Sequence, residues 1–190
     1  FLRLEMPIYE KIARFEKVLE EYLLTKKYQN MSRRLHQISL VDPLSGLSNM
    51  RNFYLNYTKM IAGLSKSKKS LAVFMIDLDK FKLVNDCNSH LFGSFVLSQV
   101  GRLMTHAPML PQNGLTARYG GDEFIWALHV DSMAQAVDLA DRWLKLLKSS
   151  CFRHDEYTAS ITASIGVALV TDEYKGGYQL PMKVADFMLY

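Results

Sequence analysis

The sequence predicts an α+β fold: a central, mostly antiparallel sheet with a split βαβ core, flanked by helices and preceded by a linker helix. Three observations carry this. Leu71-Ala-Val-Phe-Met-Ile76 is a short, continuous apolar run, the pattern of a buried strand. Two strand-like stretches, residues 115–119 and 124–128, enclose Gly120-Gly121-Asp122-Glu123, a hairpin signal. Amphipathic helical patterns separate these pieces, so the order reads helix, strand, helix, hairpin, helix, strand, helix. On this reading the helices cover one face of the sheet.

Residues 1–40 read as a helical linker. Ile8, Ile12, Phe15, Leu19 and Tyr22 recur at spacings of four and three, a coiled-coil seam. Leu24, Tyr28, Met31, Leu35 and Ile38 repeat that spacing two residues out of phase, which predicts either a bend near residues 23–27 or two helices. Asp42-Pro43 ends the linker, and residues 41–190 form the domain. A helix is expected from 49 to 64, with Phe53, Tyr57, Met60, Ile61 and Leu64 on one face. Further helices are expected over 91–106 and 132–149, and one starting near Pro181, within which the chain stops. Residues 157–170 read as a single alternating strand through Ile161, Ala163, Ile165 and Val167.

Composition removes several classes. Nearly half of the 190 residues are hydrophobic, enough for a core, and no repeat or low-complexity stretch is present. The net charge of +4 is spread out, and the densest basic run, Lys66 to Lys69, reads as a solvated loop, so nucleic acid is not an expected partner. The two cysteines, Cys87 and Cys151, lack CxxC spacing, which argues against a structural zinc site or a disulfide framework. No run approaches the roughly 20 apolar residues of a membrane span, and a cytoplasmic piece of a larger protein is expected.

The chemistry-bearing residues are acidic. Asp77-Leu78-Asp79 closes the apolar strand, and alternation sends Asp77 and Asp79 to one side. A carboxylate at the end of a buried strand is costly without a positive partner, and a hard divalent cation is one such partner. Asp122-Glu123 sits in the glycine turn, which comes near Asp77 if the two elements are neighbours. Carboxylates from two strands around a cation facing a phosphate suit nucleotidyl transfer. Singly, an Asp-x-Asp is common and Gly-Gly-Asp-Glu is a polar turn. Beyond Asp79, Lys80-Phe81-Lys82 can cradle a polyphosphate with amides and a lysine, and Asn85 can hydrogen-bond a base edge. His90 is either a further polar contact or a hydrogen bond fixing the loop.

Five motifs stand in register from about residue 42 to the end: Asp42-Pro-Leu-Ser-Gly-Leu-Ser-Asn49, Asp77-Leu-Asp-Lys-Phe-Lys-Leu-Val-Asn-Asp86, Ala117-Arg-Tyr-Gly-Gly-Asp-Glu-Phe124, Thr162-Ala-Ser-Ile-Gly-Val167, and Ala185-Asp186 with Leu189-Tyr190. Together they closely resemble the GGDEF family of diguanylate cyclases, with its ferredoxin-like, nucleotidyl-cyclase-like core. The resemblance implies condensation of two GTP molecules into cyclic di-GMP by a homodimer, with dimerisation through the N-terminal helix. It implies magnesium, with manganese as an alternative, held by Asp77, Asp122 and the Leu78 carbonyl. It gives Asp122 and Glu123 to catalysis, Lys80, Phe81 and Lys82 to the triphosphate, and Asn85, His90 and Ser94 to the substrate-binding wall.

Some positions depart from the family pattern. Ser94 stands where an Asp normally contacts guanine, and a hydroxyl in place of a carboxylate implies roughly 1–3 kcal/mol less affinity. Ser89 replaces a glycine and implies strain if that position needs positive φ. Pro111-Gln112-Asn113-Gly114 lacks the family's inhibitory Arg-x-x-Asp, so product inhibition there is not expected. The basic residues that the family carries after its final Leu-Tyr would lie past Tyr190. These departures keep a second reading open, a regulatory module that binds GTP, or nothing, for an attached output domain such as a phosphodiesterase.

Overall fold

The computed structural model describes residues 7–38, 40–66, 69–106 and 114–189. The chain divides into two compact units at residues 39 and 40. The first holds one helix, α1 (Ile8–Ile38). It is continuous, so the expected bend or break near 23–27 is absent. Nothing in these 31 residues is Gly or Pro, and the phase shift of the apolar stripe does not interrupt the backbone hydrogen bonds. The described side chains of α1 are exposed, including Ile8, Ile12, Phe15, Leu19 and Tyr22.

The second unit contains α2 (Met50–Ala62), a short 3₁₀ turn at Leu64–Lys66, β1 (Ser70–Leu78), α3 (Phe81–Cys87), α4 (His90–His106), β2 (Leu115–Gly120), β3 (Glu123–Val130), α5 (Met133–Ser149), β4 (Phe152–His154), β5 (Tyr157–Ala159), β6 (Ala163–Val170) and α6 (Leu180–Phe187). Four strands form a sheet in the order β2-β3-β1-β6, and the paired neighbours are antiparallel. Two βαβ crossovers interleave, each split by a strand of the other, which is the expected core.

Local chemistry sets the helix starts. Asn49 accepts from the Asn52 amide at 2.9 Å, and Ser132 accepts from the Gln135 amide at 3.2 Å, each as an N-cap. Pro181 lies in the first turn of α6.

Helices cover both faces of the sheet, not one. Ala72, Phe74, Ile76 and Leu78 of β1 join Phe124, Trp126 and Leu128 of β3 under α4 and α5. Leu71, Val73 and Met75, with Ile125 and Ala127, pack against Phe53 and Tyr57 of α2 and Met182 and Ala185 of α6. A strand covered on both sides cannot alternate, which is why β1 is a continuous apolar run. Phe74 stacks on Trp126 at 4.9 Å between ring centroids, and the fully buried Trp143 closes the α5 side. Truncating such an aromatic costs about 3–5 kcal/mol.

Two further expectations are corrected. Residues 157–170 form two strands, since residues 160–162 leave the sheet to bind the turn after β1, where Thr162 accepts from the Asp79 amide at 2.9 Å. β5 pairs instead with β4 around Asp155, whose φ of 52° is tolerated by aspartate. The stretch after Asp79, expected as a turn, continues into the short helix α3. The inhibitory-site positions 111–113, part of the basic run (residues 67 and 68), and the terminal Tyr190 lie outside the described residues.

Candidate functional site

β1 and β3 bring the acidic residues to one end of the sheet. Asp77 is directly opposite Glu123 in the β1–β3 ladder, and the Leu78 amide donates to the Asp122 carbonyl at 3.3 Å. The glycine turn thus lies beside the end of β1. Gly121 has φ +51°, and the β2–β3 register slips between Arg118 and Gly120, a bulge that re-aims the turn.

Crowding shows in the protonation of these groups. Burial first, then Asp122 and Asp79, pushes the Asp77 carboxyl above its ordinary range. Burial first, then Asp77, Asp122 and Asp186, does the same to Glu123. Among the described residues no ion pair reaches Asp77, Asp122 or Glu123. The strand ends at Leu78, and the Asp79 carboxylate accepts from the Thr162 hydroxyl at 2.6 Å and the Ser164 hydroxyl at 2.8 Å.

Beside this acidic end lies a cleft of about 380 Å³. Phe81, Lys82, Asn85, His90, Ser94 and Asp122 line it, so six of the sequence-predicted residues share one cavity. Asp77, Leu78, Lys80 and Glu123 are not part of its lining. Asp77 and Glu123 sit next to it through the ladder, the Leu78 side chain is buried in the core, and Lys80 is exposed with a left-handed φ of 54°. Gly93 sets the wall: a Cβ there would lie 1.9 Å from Asn85 Oδ1, so any other residue would displace the Asn85 side chain from this position.

The strain expected at Ser89 is absent. Among the described non-glycine residues only Lys80 and Asp155 have positive φ, and the Ser89 hydroxyl accepts from the Phe92 amide at 3.1 Å as a cap on α4.

Sequence reasoning missed Arg118. Its Nε and Nη2 donate to the Gly121 carbonyl at 2.9 and 2.6 Å, and it lines the cleft with Leu44 and Leu97. It lay in plain view inside the glycine-turn motif, but a lone arginine carries no spacing signal. Asp186 was also given no role, although its charge reaches Glu123 and Tyr119. A larger cleft of about 500 Å³, lined by Phe95, Arg102, His106 and Phe152 among others, contains none of the carboxylates and none of the predicted residues. Size therefore does not identify the site here; the convergence of charged groups does.

The donor set fits a small hard cation only in part. Asp77 and Asp122 offer oxygens, and the Leu78 carbonyl a third, but among the described residues no group of three or more His, Cys, Asp or Glu is placed to hold a metal. Magnesium is ordinarily held by one or two carboxylates with waters and substrate phosphates completing the shell. The residues present match that division of labour.

Comparison with known proteins gives a consistent family. The profile described as "Diguanylate cyclase, GGDEF domain" matches residues 39–190. An uncharacterised membrane protein of Staphylococcus saprophyticus is 34% identical over 173 residues, covering 89% of this chain and 45% of that protein. A similar membrane protein of Staphylococcus aureus is 30% identical over 170 residues, again with 45% of its length covered. The chain thus spans less than half the length of these relatives. Among solved structures, a sensory box/GGDEF family protein of Caulobacter crescentus superposes with a TM-score of 0.72 at 32% identity, covering 80% of this chain and 96% of that one. The diguanylate cyclase SiaD of Pseudomonas aeruginosa, solved with its activator SiaC, gives 0.72 at 28% identity, with 96% and 69% covered. Among the described residues no helix is long and apolar enough to cross a membrane.

Proposed function

The chain belongs to the GGDEF family, and from that premise we propose that it condenses two GTP molecules into cyclic di-GMP. The observation that supports this best is the meeting of Asp77, Asp122 and Glu123 beside a cleft that also holds Lys82 and Asn85. Three crowded carboxylates without a cationic partner among the described residues are poised for a divalent cation. Asp77 and Asp122, with the Leu78 carbonyl, would hold magnesium or manganese. When bound, that ion neutralises phosphate charge at the reacting centre.

The chain's own groups do the rest. Lys82 and the backbone at Lys80 and Phe81 bind the triphosphate, and Asn85 meets the guanine edge, with His90 and Ser94 on the same wall. The 3′-oxygen of one GTP attacks the α-phosphorus of the other. A P–O bond forms there, the bond from the α-phosphorus to the bridging oxygen breaks, and pyrophosphate leaves; the reciprocal attack releases a second pyrophosphate and closes the ring. Glu123 accepts the 3′-hydroxyl proton, with Asp122 beside it. A carboxyl raised above its ordinary range is closer in pKa to the operating pH, which favours a general base. Each domain contributes one GTP, so two copies meet. The exposed heptad stripe of α1 offers one way to hold them together.

One observation favours a second reading. Ser94, on the cleft wall beside Asn85, offers guanine no charge. A chain that binds GTP weakly would serve as a regulatory module for an output domain. Incubation of the protein with GTP and magnesium, followed by chromatography, separates the two. Cyclic di-GMP is expected. GTP binding without product would reject the enzyme and leave the module.

A further inference from the structure

The Asp42–Asn49 segment has so far only marked a family, yet it is wired into the glycine turn. The Asp42 carboxylate accepts from the Ser45 amide at 2.8 Å and the Ser45 hydroxyl at 2.7 Å. Ser45 is itself buried, pressed so close to α4 that a Cβ on Gly101 would lie 2.1 Å from its carbonyl oxygen. The Ser48 amide donates to the Thr116 carbonyl, and the Arg118 amide donates to the Ser48 carbonyl, each at 3.2 Å. The segment is therefore laid along the open edge of β2 and wedged against α4.

From that fixed base Asp42 reaches Arg118, with Oδ1 3.6 Å from Nη1 and both side chains more than four-fifths shielded. Arg118 in turn sends Nε and Nη2 to the Gly121 carbonyl. The turn between β2 and β3 has no side-chain hydrogen bond of its own among the described residues besides this one. Its backbone is bulged, with a left-handed glycine at Gly121.

We infer that Arg118 and Asp42 are positioning residues: Arg118, anchored by Asp42, holds the Gly121 carbonyl so that Asp122 and Glu123 face Asp77. This rests on the cation-and-GTP reading for its consequence, but not for its geometry. A planar guanidinium suits the task because Nε and Nη2 converge on one carbonyl while Nη1 lies at ion-pair distance from the carboxylate. A lysine ammonium in its place cannot span both.

The test uses Arg118→Lys and Asp42→Asn in the full chain. Hydrogen exchange is followed at residues 119–123 without ligand, with the β1 amides of the same sample as the reference. A second readout titrates magnesium against binding of a fluorescent GTP analogue. Faster exchange confined to 119–123 is expected, larger for Arg118→Lys than for Asp42→Asn, because global loosening would speed β1 as well. The magnesium midpoint is expected to rise about tenfold in Arg118→Lys, within the range that small misplacements cost. Binding of the analogue without magnesium is measured alongside, so that any direct contact of Arg118 with the nucleotide is separated from the magnesium midpoint. Exchange at 119–123 that tracks β1, or that stays at the wild-type rate, overturns the inference. If the wild type binds no GTP analogue, the functional reading falls, while the exchange pattern still decides the positioning role by itself.

Discussion

The two sides of the cleft differ in what they keep. The acidic side, built by β1 and the glycine turn, holds Asp77, Asp122 and Glu123 crowded together, at a cost to the ionised forms of Asp77 and Glu123. The recognition wall, built by α3 and α4, keeps Lys82 and Asn85 but presents Ser94, an uncharged hydroxyl, where the family has a carboxylate. On the proposed reading the first side holds the cation, while the second holds the phosphates through Lys82 and reads the base through Asn85. On that reading the two properties can separate, the carboxylates for the cation being kept while the wall loses a charge that guanine would meet.

The largest expected effect tests the acidic side. Asp122→Ala should lower product formation about 10³-fold, the scale of several kcal/mol of charge stabilisation, read by chromatography of cyclic di-GMP. A loss under tenfold would show that the turn does not carry the chemistry. The next test turns to the recognition wall. Ser94→Asp should tighten GTP about fivefold to a hundredfold and leave ATP nearly unchanged, measured by calorimetry. An equal gain for both nucleotides would mean the residue acts through general charge rather than guanine.

Most of this architecture is legible in residues. β1 announces itself because a strand covered on both faces is apolar throughout, and the glycine turn because few sequences form a tight hairpin. The same β1 run also held the clue to two helical layers, but a sequence does not say which helix covers which side. α3 hid because seven residues, Phe81 to Cys87, are too few to show a period. The β4–β5 hairpin hid because its turn, Asp155-Glu156, lacks the glycine that usually marks one. In the site, the carboxylates were legible from their places at strand ends. Arg118 was not, because its role depends on which carbonyl lies within its reach. Ser89 was misread for a related reason: the family's glycine suggested a backbone demand, whereas here the position is a helix cap.

Smaller effects sharpen the comparison in the protein without cation. Asp77 and Glu123 have folded-state pKa values above their unfolded ones. Their contribution to stability is therefore full below the unfolded carboxyl range, about pH 4, and is lost as pH rises through the raised values. Glu123→Gln should accordingly raise the cation-free Tm at pH 7, with the gain shrinking as pH is lowered towards 4. A gain that is the same at both pH values would show that the carboxylate crowding is not its source. On the other wall, Ser89→Ala removes the cap of α4 and should cost about 1 kcal/mol in urea unfolding. A stability gain there would show that the Ser89 hydroxyl does not cap the helix.

The shared cation is most directly tested by calorimetric titration of GTP into the protein with and without magnesium, for the wild type and for Asp77→Asn combined with Asp122→Asn. The wild type should bind GTP at least about tenfold tighter with magnesium, one coordinated charge's worth of affinity. The double variant should lose that response and bind GTP without magnesium at least as well as the wild type does, since two like charges beside the triphosphate are gone. An equal magnesium response in both proteins would contradict the account, because the two aspartates would then not meet at one ion.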